Sequence, residues 1–568
     1  MRLALAQINA VVGDLEGNRD RILAALGDAR EQKAELVLFP ELAVTGYPPE
    51  DLLLRPGFVR AAEESLQAIA AETRGLTALV GTPWFDRDLF NACAVCSEGG
   101  LKALYRKRFL PNYGVFDEDR YFAPGRDLIL LRHGEILVGP TICEDIWQPG
   151  PPATDLALAG AELLVNLSAS PYFVGKAEDR EEMLVTRARD NSAYLAFCNL
   201  VGGQDELLFD GHSVVLDDEG EVLARAPGFE EALLVVDLDP SEAIGRRLRD
   251  VRRRALARER EDAREPAVVE LGVSVSQTQS PSHTSTICDF DCELEQMRKA
   301  LVLALRDYVG KNGFGDVVLG LSGGIDSALV ATLAVDALGP ERVHCVSMPS
   351  RYSSAGTRTD AQRLAETVGC DFREIPIEET VASFHAAGVG TTGLAAENLQ
   401  ARVRGMTLMS LSNEHGWLVL ATGNKSELSV GYSTLYGDLA GGFALIKDVY
   451  KTDVFRLARY LNERAGRELI PASIIERPPS AELRDDQRDQ DSLPPYEQLD
   501  PVLEAYVELD RSREELLAEG HDPGTVERAL ALIDKAEYKR RQAPPGVKLR
   551  PKAFGRDRRT PITNRWRG

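Results

Sequence analysis

Leu321-Ser322-Gly323-Gly324-Ile325-Asp326-Ser327 is the stretch that decides the fold of the second half of the chain. It follows the apolar run Val317-Val318-Leu319, which predicts a buried strand, and precedes Ala328-Leu329-Val330-Ala331, which predicts the start of a helix. A loop of this kind presents backbone N–H groups at the positive end of a helix and can therefore hold a phosphate or pyrophosphate. Because Asp326 would repel bare phosphate, the stretch also predicts a Mg²⁺ ion between this carboxylate and a nucleotide.

The same residues could form a purely structural turn or another type of phosphate-binding loop. The main alternative is a tight strand-to-helix turn without a ligand. In such a turn the glycines would allow the tight backbone conformation, and Ser or Asp would cap the helix. The loop has no Gly-Lys-Ser/Thr, so it is not a Walker loop, and Gly313-Phe314-Gly315 precedes the strand, which excludes a dinucleotide fingerprint. The full Ser-Gly-Gly-x-Asp-Ser pattern resembles the pyrophosphate loop of the ATP pyrophosphatase family, whose members activate carboxylates or carbonyls by adenylation.

Length, composition and charge limit the possible functions. A chain of 568 residues, 44% of them hydrophobic, predicts about two to four domains with large buried cores. The net charge of −23 disfavours a nucleic-acid partner, because phosphate backbones would be repelled. The final segment, with Lys539-Arg540-Arg541 and the basic residues 556–567, is a local exception. The sequence leaves open whether this tail is disordered or binds an anionic metabolite or the body of the protein.

Cysteine usage and hydropathy predict a soluble, cytoplasmic protein. Eight cysteines in a chain of this length do not make a disulfide scaffold. Cys93 and Cys96 form a C-x-x-C without a second pair or a histidine cluster, so we interpret them as core residues rather than zinc ligands. The apolar run at 1–7 is too short for a signal peptide, and no apolar segment approaches the ~20 residues that span a bilayer. We therefore expect no membrane partner.

The pattern of apolar runs predicts an α/β protein. Over the first 240 residues short apolar strands alternate with amphipathic helices, which is typical of a layered α/β architecture. The charge-dense segment 246–264 predicts a helical connector, and 277–285 is rich in Ser, Thr, Pro and Gln. We predict one domain at 1–270, a linker at 271–291 and a second domain at 292–568. The second domain should be a doubly wound parallel sheet with the phosphate loop after its first strand.

Three strand ends in the first half supply a second set of chemical groups. Glu41 and Lys107 each follow an apolar run, and Cys143 ends one. Any one of them alone is more often structural, since loops are where charged groups commonly lie. A thiol is mostly protonated at neutral pH and needs a base or a cation to react. We therefore predict Cys143 as nucleophile, Glu41 as base and Lys107 as electrostatic stabiliser.

The order and contexts of Glu41, Lys107 and Cys143 resemble the nitrilase superfamily, whose Glu-Lys-Cys triad hydrolyses amides or nitriles through a thioester or thioimidate. Segments 110–118 and 166–172 look like the substrate-pocket segments of its glutamine-hydrolysing members. The resemblance implies a four-layer αββα sandwich for the first domain. It also implies a glutamine site formed by Tyr113, Phe116, Glu144, Ser170 and Lys176.

A glutamine amidase joined to a pyrophosphatase loop implies an amidotransferase-ligase. Ammonia must attack an adenylated carboxylate, because a free carboxylate anion is a very poor electrophile. The combination resembles the family of glutamine-dependent NAD⁺ synthetases over nearly the whole chain. That resemblance implies ATP-dependent amidation of deamido-NAD⁺ with L-glutamine as nitrogen donor, on a Rossmann-like second domain of the adenine nucleotide α-hydrolase type. It also implies a homo-oligomer, dimer or larger, and we expect a shielded passage for ammonia.

Further segments carry the resemblance in the second half, namely 397–404, 421–427, 436–438, 447–452 and 538–544. The ATP-binding residues that it implies are Gly320, Leu321, Ser322, Gly323, Gly324, Ile325, Asp326, Ser327, Met348, Arg402, Thr422 and Lys451. The residues that it implies for deamido-NAD⁺ are Asn398, Glu427, Asp438 and Lys539. Asp326 and Glu427 are the implied Mg²⁺ ligands.

The sequence leaves three alternatives to the amidation of deamido-NAD⁺. The first keeps the same chemistry on another carboxylate, such as nicotinate mononucleotide. The second is sulfur transfer to tRNA, which also uses pyrophosphatase loops but is disfavoured by the acidic balance and by the lack of paired metal-binding or persulfide cysteines. The third is a regulatory binding protein on an inactive amidase scaffold, which the presence of Glu41, Lys107 and Cys143 disfavours.

Overall fold

The computed structural model describes residues 1–260, 265–271, 286–484 and 487–566. They divide between two compact units, one within residues 1–204 and 208–291 and the other within 205–207 and 292–568. Most of the predicted linker, 272–285, lies outside the described residues, and its described part from 286 onwards belongs to the first unit. In the described part of the chain, no helix combines the length and the apolar character that crossing a membrane requires.

Residues 1–291 contain two large sheets. Their strands and the neighbouring hairpin are β1 (Arg2–Gln7), β2 (Leu36–Leu38), β3 (Thr77–Asp86), β4 (Asp88–Ser97), β5 (Gly100–Arg106), β6 (Ile129–His133), β7 (Ile136–Ile142), β8 (Leu163–Ser168), β9 (Tyr194–Asn199), β10 (Val201–Gln204), β11 (Leu207–Asp210), β12 (Val214–Leu216), β13 (Val222–Arg225), β14 (Ala232–Asp237) and β15 (Ala267–Glu270). One sheet has the order β14-β1-β2-β3-β4-β5 and the other β13-β12-β9-β8-β7-β6-β15. The helices are α1 (Leu15–Glu31), α2 (Pro56–Ala71), α3 (Glu144–Trp147), α4 (Ala153–Leu158), α5 (Lys176–Asn191), α6 (Glu242–Arg249) and α7 (Val251–Glu259).

The alternation of side chains along the strands explains how this unit is layered. In β1, Leu3 and Leu5 pack in a core that includes Leu163 of the other sheet. Ala4, between them, faces the opposite side and packs with Ile22 of α1. Helices α4 and α5 cover the outer face of the second sheet in the same way. The result is helix, sheet, sheet and helix in succession, so the predicted αββα sandwich is confirmed.

The second unit is built on a parallel five-stranded sheet of order β18-β17-β16-β19-β20. Its strands are β16 (Val317–Gly320), β17 (Val343–Ser347), β18 (Asp371–Glu374), β19 (Leu418–Ala421) and β20 (Phe443–Ala444). Its helices are α8 (Glu293–Lys311), α9 (Ile325–Leu338), α10 (Ala355–Val368), α11 (Glu378–Ala386), α12 (Gly393–His415), α13 (Lys425–Val430), α14 (Lys451–Ala465), α15 (Ala472–Glu476), α16 (Tyr496–Val507), α17 (Arg513–Ala518), α18 (Pro523–Lys535) and α19 (Glu537–Arg540).

The strand order of this sheet reverses between β16 and β19. The chain first runs outward from β16 to β18 and then returns to β19 on the other side of β16. In open parallel sheets the crevice at such a reversal, outside the carboxyl ends of the strands, is where ligands bind. The predicted phosphate loop connects β16 to α9 at this place. The doubly wound fold that we predicted for the second domain is therefore confirmed.

The basic tail packs against the second unit. The guanidinium of Arg550 forms an ion pair with Asp453. The backbone N–H groups of Leu549 and Arg550 both donate to Asp448 Oδ2, each at 2.8 Å. In the basic segment itself, Lys539 and Arg540 donate to the carbonyls of Gly431 and Ser429. The described part of the tail therefore contacts the body of the protein, as one of the alternatives from the sequence expects.

We expect Leu38→Ala to lower the free energy of unfolding of the first unit by roughly 2–5 kcal/mol, because it leaves a cavity between the two sheets. Leu38 is fully buried in that core. Leu54→Ala is the matched control, since Leu54 is 58% exposed, and its effect should stay within about 0.5 kcal/mol. Urea unfolding followed by circular dichroism measures both. Equal midpoints for the two variants would contradict this account of the core.

Candidate active sites

The ends of β2, β5 and β7 bring Glu41, Lys107 and Cys143 into one buried site. Lys107 Nζ donates a hydrogen bond to Glu41 Oε1 at 2.6 Å, and both side chains are fully buried. The charges of Glu41 and Lys107 both act on the Cys143 thiol. The sandwich therefore places a carboxylate, an ammonium group and a thiol within electrostatic reach of one another, away from water.

Two further hydrogen bonds fix the orientation of Glu41. Asn91 Nδ2 donates to its Oε1 at 2.7 Å, and the backbone N–H of Ala169 donates to its Oε2 at 3.1 Å. Together with Lys107 these donors hold the Glu41 carboxylate in one orientation within the site.

Glu118 is a second carboxylate in this site, and we did not predict it from the sequence. Lys107 Nζ donates to both of its oxygens at 2.8 Å, and Tyr47 Oη donates to Oε1 at 2.9 Å. Burial raises the pKa of Glu118 to about 7, with the charge of Lys107 opposing that shift. Glu118 lies in a short turn rather than at a strand end, so the pattern that identified Glu41 and Lys107 does not identify it.

Cys143 occupies a strained backbone conformation at the end of β7. Its φ of 40° and ψ of −102° lie in a region that residues with a side chain rarely adopt, at a cost of roughly 1–3 kcal/mol. Burial, together with the negative charge of Glu41, raises the pKa of the Cys143 thiol well above its ordinary value. The thiol is therefore protonated at rest and must transfer its proton to a neighbouring base before it can act as a nucleophile.

Three of the predicted glutamine-site residues lie beside one another on one side of this centre. Tyr113 Oη donates to Glu144 Oε2 at 2.9 Å, and the rings of Tyr113 and Phe116 meet edge to face with centroids 5.5 Å apart. Tyr113 is 58% exposed. It therefore lies at the boundary between the buried triad and solvent, where a small substrate could enter.

Lys176 and Ser170 complete the predicted glutamine site. Lys176 Nζ lies 3.9 Å from the centroid of the Trp147 ring, and burial lowers the pKa of this lysine to about 8. The backbone N–H of Ser170 donates to Asn199 Oδ1 at 2.9 Å. Lys176 is thus a partly buried cation packed on an aromatic face, suited to a ligand carboxylate.

The second unit contains a cavity of about 440 Å³ at the carboxyl ends of its strands. Fourteen of the residues predicted for ATP, the dinucleotide or metal line it, namely Gly320, Leu321, Ser322, Gly323, Gly324, Ile325, Asp326, Met348, Asn398, Thr422, Glu427, Asp438, Lys451 and Lys539. Ser327 Oγ instead lies within the loop, 3.1 Å from Ser322 Oγ. Arg402 is exposed and donates to the Leu435 carbonyl at 3.1 Å, and it is not among the described residues that line the cavity.

Gly323 is required by the geometry of the phosphate loop. Its φ is +81°, and a Cβ atom at this position would lie 2.2 Å from the carbonyl oxygen of Thr357. The next N–H, that of Gly324, donates to Ser322 Oγ at 3.2 Å. The loop is therefore closed by its own serine and packed directly on the neighbouring backbone, a shape suited to backbone contacts with phosphate.

Lys451 lies between the two predicted metal ligands. Its Nζ donates to Asp326 Oδ2 at 2.5 Å and to Glu427 Oε1 at 3.1 Å, and Asn424 Nδ2 donates to Asp326 Oδ1 at 2.8 Å. Burial raises the pKa of Glu427 to about 8, and the charge of Asp326 adds to that effect. Asp326 and Glu427 together are a pair of hard oxygen donors, which fits Mg²⁺.

These two carboxylates would not enclose a metal by themselves. In the described parts of the chain, no group of three or more His, Cys, Asp or Glu side chains is arranged to hold a metal ion. Mg²⁺ in nucleotide sites is commonly bound by one or two carboxylates together with phosphate oxygens. The donor set at Asp326 and Glu427 is therefore compatible with an ion that arrives with a nucleotide.

The predicted dinucleotide residues lie around the turn after α13. Thr434 Oγ1 donates to Asn398 Oδ1 at 2.7 Å, and the Thr434 N–H donates to Asp438 Oδ1 at 2.6 Å. Lys539 Nζ donates to two backbone carbonyls of this turn, one of them that of Ser433, at 2.7 Å. Burial raises the pKa of Asp438 to about 6. The tail thus supplies a cation to the same rim of the cavity as the two polar side chains.

Comparison with known proteins identifies the class. A family model described as carbon-nitrogen hydrolase matches residues 2–247, and one described as NAD synthase matches residues 297–543. A glutamine-dependent NAD(+) synthetase of Thermotoga maritima is 48% identical over 576 residues, covering 100% of this chain and 99% of that protein. One of Aquifex aeolicus is 47% identical and covers 100% of both. The chain belongs to the glutamine-dependent NAD(+) synthetase family.

Solved structures show the same architecture. The glutamine-dependent NAD⁺ synthetase from Acinetobacter baumannii, determined in complex with adenosine diphosphate, gives a TM-score of 0.74 at 38% identity, covering 99% of this chain and 98% of that one. A glutamine-dependent NAD(+) synthetase from Cytophaga hutchinsonii, at 22% identity, gives a TM-score of 0.77 over 99% and 98% and shows the fold alone. The resemblance to this family that the sequence shows is therefore confirmed.

We expect Glu118→Gln to lower kcat for release of glutamate from glutamine by at least roughly 100-fold, because Lys107 loses one of its two carboxylate partners. In the parent protein, activity should fall as the pH drops through about 7, where Glu118 takes up a proton, and the variant should lack this acidic limb. The exposed Glu182 on α5 provides the control, Glu182→Gln, which should stay within about twofold. An unchanged kcat and pH profile in Glu118→Gln would contradict this role.

Proposed function

We propose that this protein makes NAD⁺ by amidating deamido-NAD⁺, using ATP and the amide nitrogen of L-glutamine. The observation that carries the proposal is the presence, in one chain, of two chemically different sites. The first unit holds a buried carboxylate, lysine and thiol, and the second holds a Gly-rich phosphate loop that opens into a large cavity. The first suits amide hydrolysis and the second suits adenylation of a carboxylate.

In the first site Glu41 takes the proton of the Cys143 thiol, whose pKa is raised by burial. The thiolate attacks the side-chain amide carbon of glutamine, and Lys107 stabilises the negative charge that develops on the oxygen. Glu41 returns the proton to the leaving nitrogen, so ammonia departs and a γ-glutamyl thioester forms. Water then attacks the thioester with Glu41 again as base, which releases glutamate and restores the thiol.

In the second site the nicotinate carboxylate of deamido-NAD⁺ attacks the α-phosphorus of ATP and pyrophosphate leaves. The first backbone N–H groups of α9, which begins at Ile325 directly after the loop, would stabilise the departing group. Lys451 holds Asp326 and Glu427 in place beside the loop. Asp326 and Glu427 would hold a Mg²⁺ ion, which when bound neutralises charge on the phosphates. Ammonia then displaces AMP and the amide forms.

Two finer expectations are also part of the proposal. We infer a cytoplasmic setting, and all eight cysteines being free thiols supports it, since reducing compartments keep thiols reduced. We infer a homo-oligomer of two or more copies from the family resemblance. Both accompany the proposed activity and neither is needed for its chemistry.

We expect Cys143→Ala to abolish NAD⁺ formation from glutamine while leaving formation from ammonium salts close to that of the parent protein. The reason is that the thiol acts in the glutamine step alone. NAD⁺ and AMP are measured with each nitrogen source in turn. Cys292→Ala, which removes an exposed thiol, should retain both activities. Loss of the ammonium-driven reaction in Cys143→Ala would contradict the assignment of Cys143 to the glutamine step alone.

We expect Asp326→Asn to lower NAD⁺ formation by at least roughly 100-fold with either nitrogen source. The reason is that the substitution removes a carboxylate that would hold Mg²⁺ beside the phosphates. Glutamine hydrolysis by the same variant should persist. Asp336→Asn, on the exposed side of the same helix, is the matched control and should stay within about twofold. Parent-like synthesis by Asp326→Asn across a Mg²⁺ titration would argue against the assignment.

A further inference from the structure

The cations around the cavity differ in whether a carboxylate neutralises them. The cationic side chains that line it are Arg358, Arg404, Lys451, Arg477 and Lys539. Three of them form an ion pair with a neighbouring Asp or Glu. For the other two, Arg404 and Lys539, no ion pair occurs within the described ranges, and their hydrogen bonds go to backbone carbonyls. Since an unpaired buried charge is costly, these two cations are placed for anions that arrive with a ligand.

Arg404 lies on the cavity face of α12, and its Nε donates to the Met348 carbonyl at 3.1 Å. Burial lowers the pKa of Arg404 to about 10, and Glu482 is the carboxylate that opposes the shift. Glu482 Oε2 already accepts a hydrogen bond from Thr357 Oγ1 at 3.1 Å. A guanidinium carries five N–H donors in a rigid fork, so Arg404 retains donors for a ligand beyond its bond to Met348.

The two unpaired cations belong to different parts of the cavity. Lys539 contacts the turn after α13, where Asn398 and Asp438 also lie. Arg404 contacts Met348, which directly follows β17, and a Cβ atom on Gly320 would lie 3.2 Å from Met348 Cε. Gly320 ends β16, the strand that leads into the phosphate loop. Arg404 is therefore on the side of the cavity where the loop begins.

We propose that Arg404, and not the exposed Arg402, is the arginine of α12 that binds ATP, through a phosphate group. Adjacent positions on a helix are separated by about 100°, so a shift of two residues turns a side chain to the opposite face. Planar guanidinium groups bind phosphate oxygens with two parallel hydrogen bonds. The inference rests on the proposed ATP-dependent function and assigns a phosphate-binding residue within it.

The test compares Arg404→Gln with Arg404→Lys in the full-length protein. Binding of α,β-methylene-ATP, measured by calorimetry, should weaken about 10- to 100-fold in the Gln variant and less in the Lys variant, which keeps the charge but loses the fork. The KM for ATP should rise while the KM for deamido-NAD⁺ and the rate of glutamine hydrolysis stay within about twofold. The control is Arg363→Gln, because Arg363 is exposed and pairs with Glu468 on the surface.

A measurement on the parent protein makes the test independent of whether a variant folds. Arginines are modified with phenylglyoxal, and the peptide that contains Arg404 is quantified by mass spectrometry. ATP should protect Arg404, whereas deamido-NAD⁺ alone should not. Equal modification with and without ATP, or parent-like ATP binding by Arg404→Gln, would overturn the inference while leaving the proposed function intact. A parent protein that consumes no ATP would instead overturn the proposed function.

Discussion

Each of the two sites depends on a buried lysine that lies between two carboxylates. Lys107 donates to Glu41 and Glu118 in the first unit, and Lys451 donates to Asp326 and Glu427 in the second. In both clusters one positive charge lies between two acids in a medium of low dielectric. Burial, with the neighbouring carboxylate adding to it, raises the pKa of Glu118 to about 7 and that of Glu427 to about 8.

The same arrangement also occurs where no reaction is expected, and the comparison shows what makes a cluster reactive. Lys425 Nζ lies 2.7 Å from both Asp448 and Glu508 in the second unit. Here Tyr450 Oη donates to Glu508 at 2.8 Å, and two N–H groups of the tail donate to Asp448. The two N–H groups of the tail bind Asp448, so this cluster holds the tail in place. In the two proposed sites a carboxylate of the cluster instead acts on a thiol or lines the cavity.

The sequence predicted the site residues that follow strands and missed those whose positions depend on packing. Glu41, Lys107 and Cys143 were found because each marks the end of an apolar run, and parallel or adjacent strand ends lie together in a sheet. Glu118 lies in a turn 77 positions from Glu41, and no local pattern indicates that the fold brings them to one lysine. Arg402 and Arg404 are equally basic in the sequence. Only the packing of α12 against β16 and β19 decides which of them faces the cavity.

Cys143 also carries a consequence for how this protein can change over time. Its positive φ favours glycine, and any other residue there costs roughly 1–3 kcal/mol of folding free energy. Natural proteins are stable by only about 5–15 kcal/mol, so this is a substantial share. Replacement of Cys143 by glycine would relieve this strain but would remove the thiol that the proposed glutamine reaction needs. The chemistry of the thiol, rather than the stability of the fold, therefore accounts for a cysteine at this position.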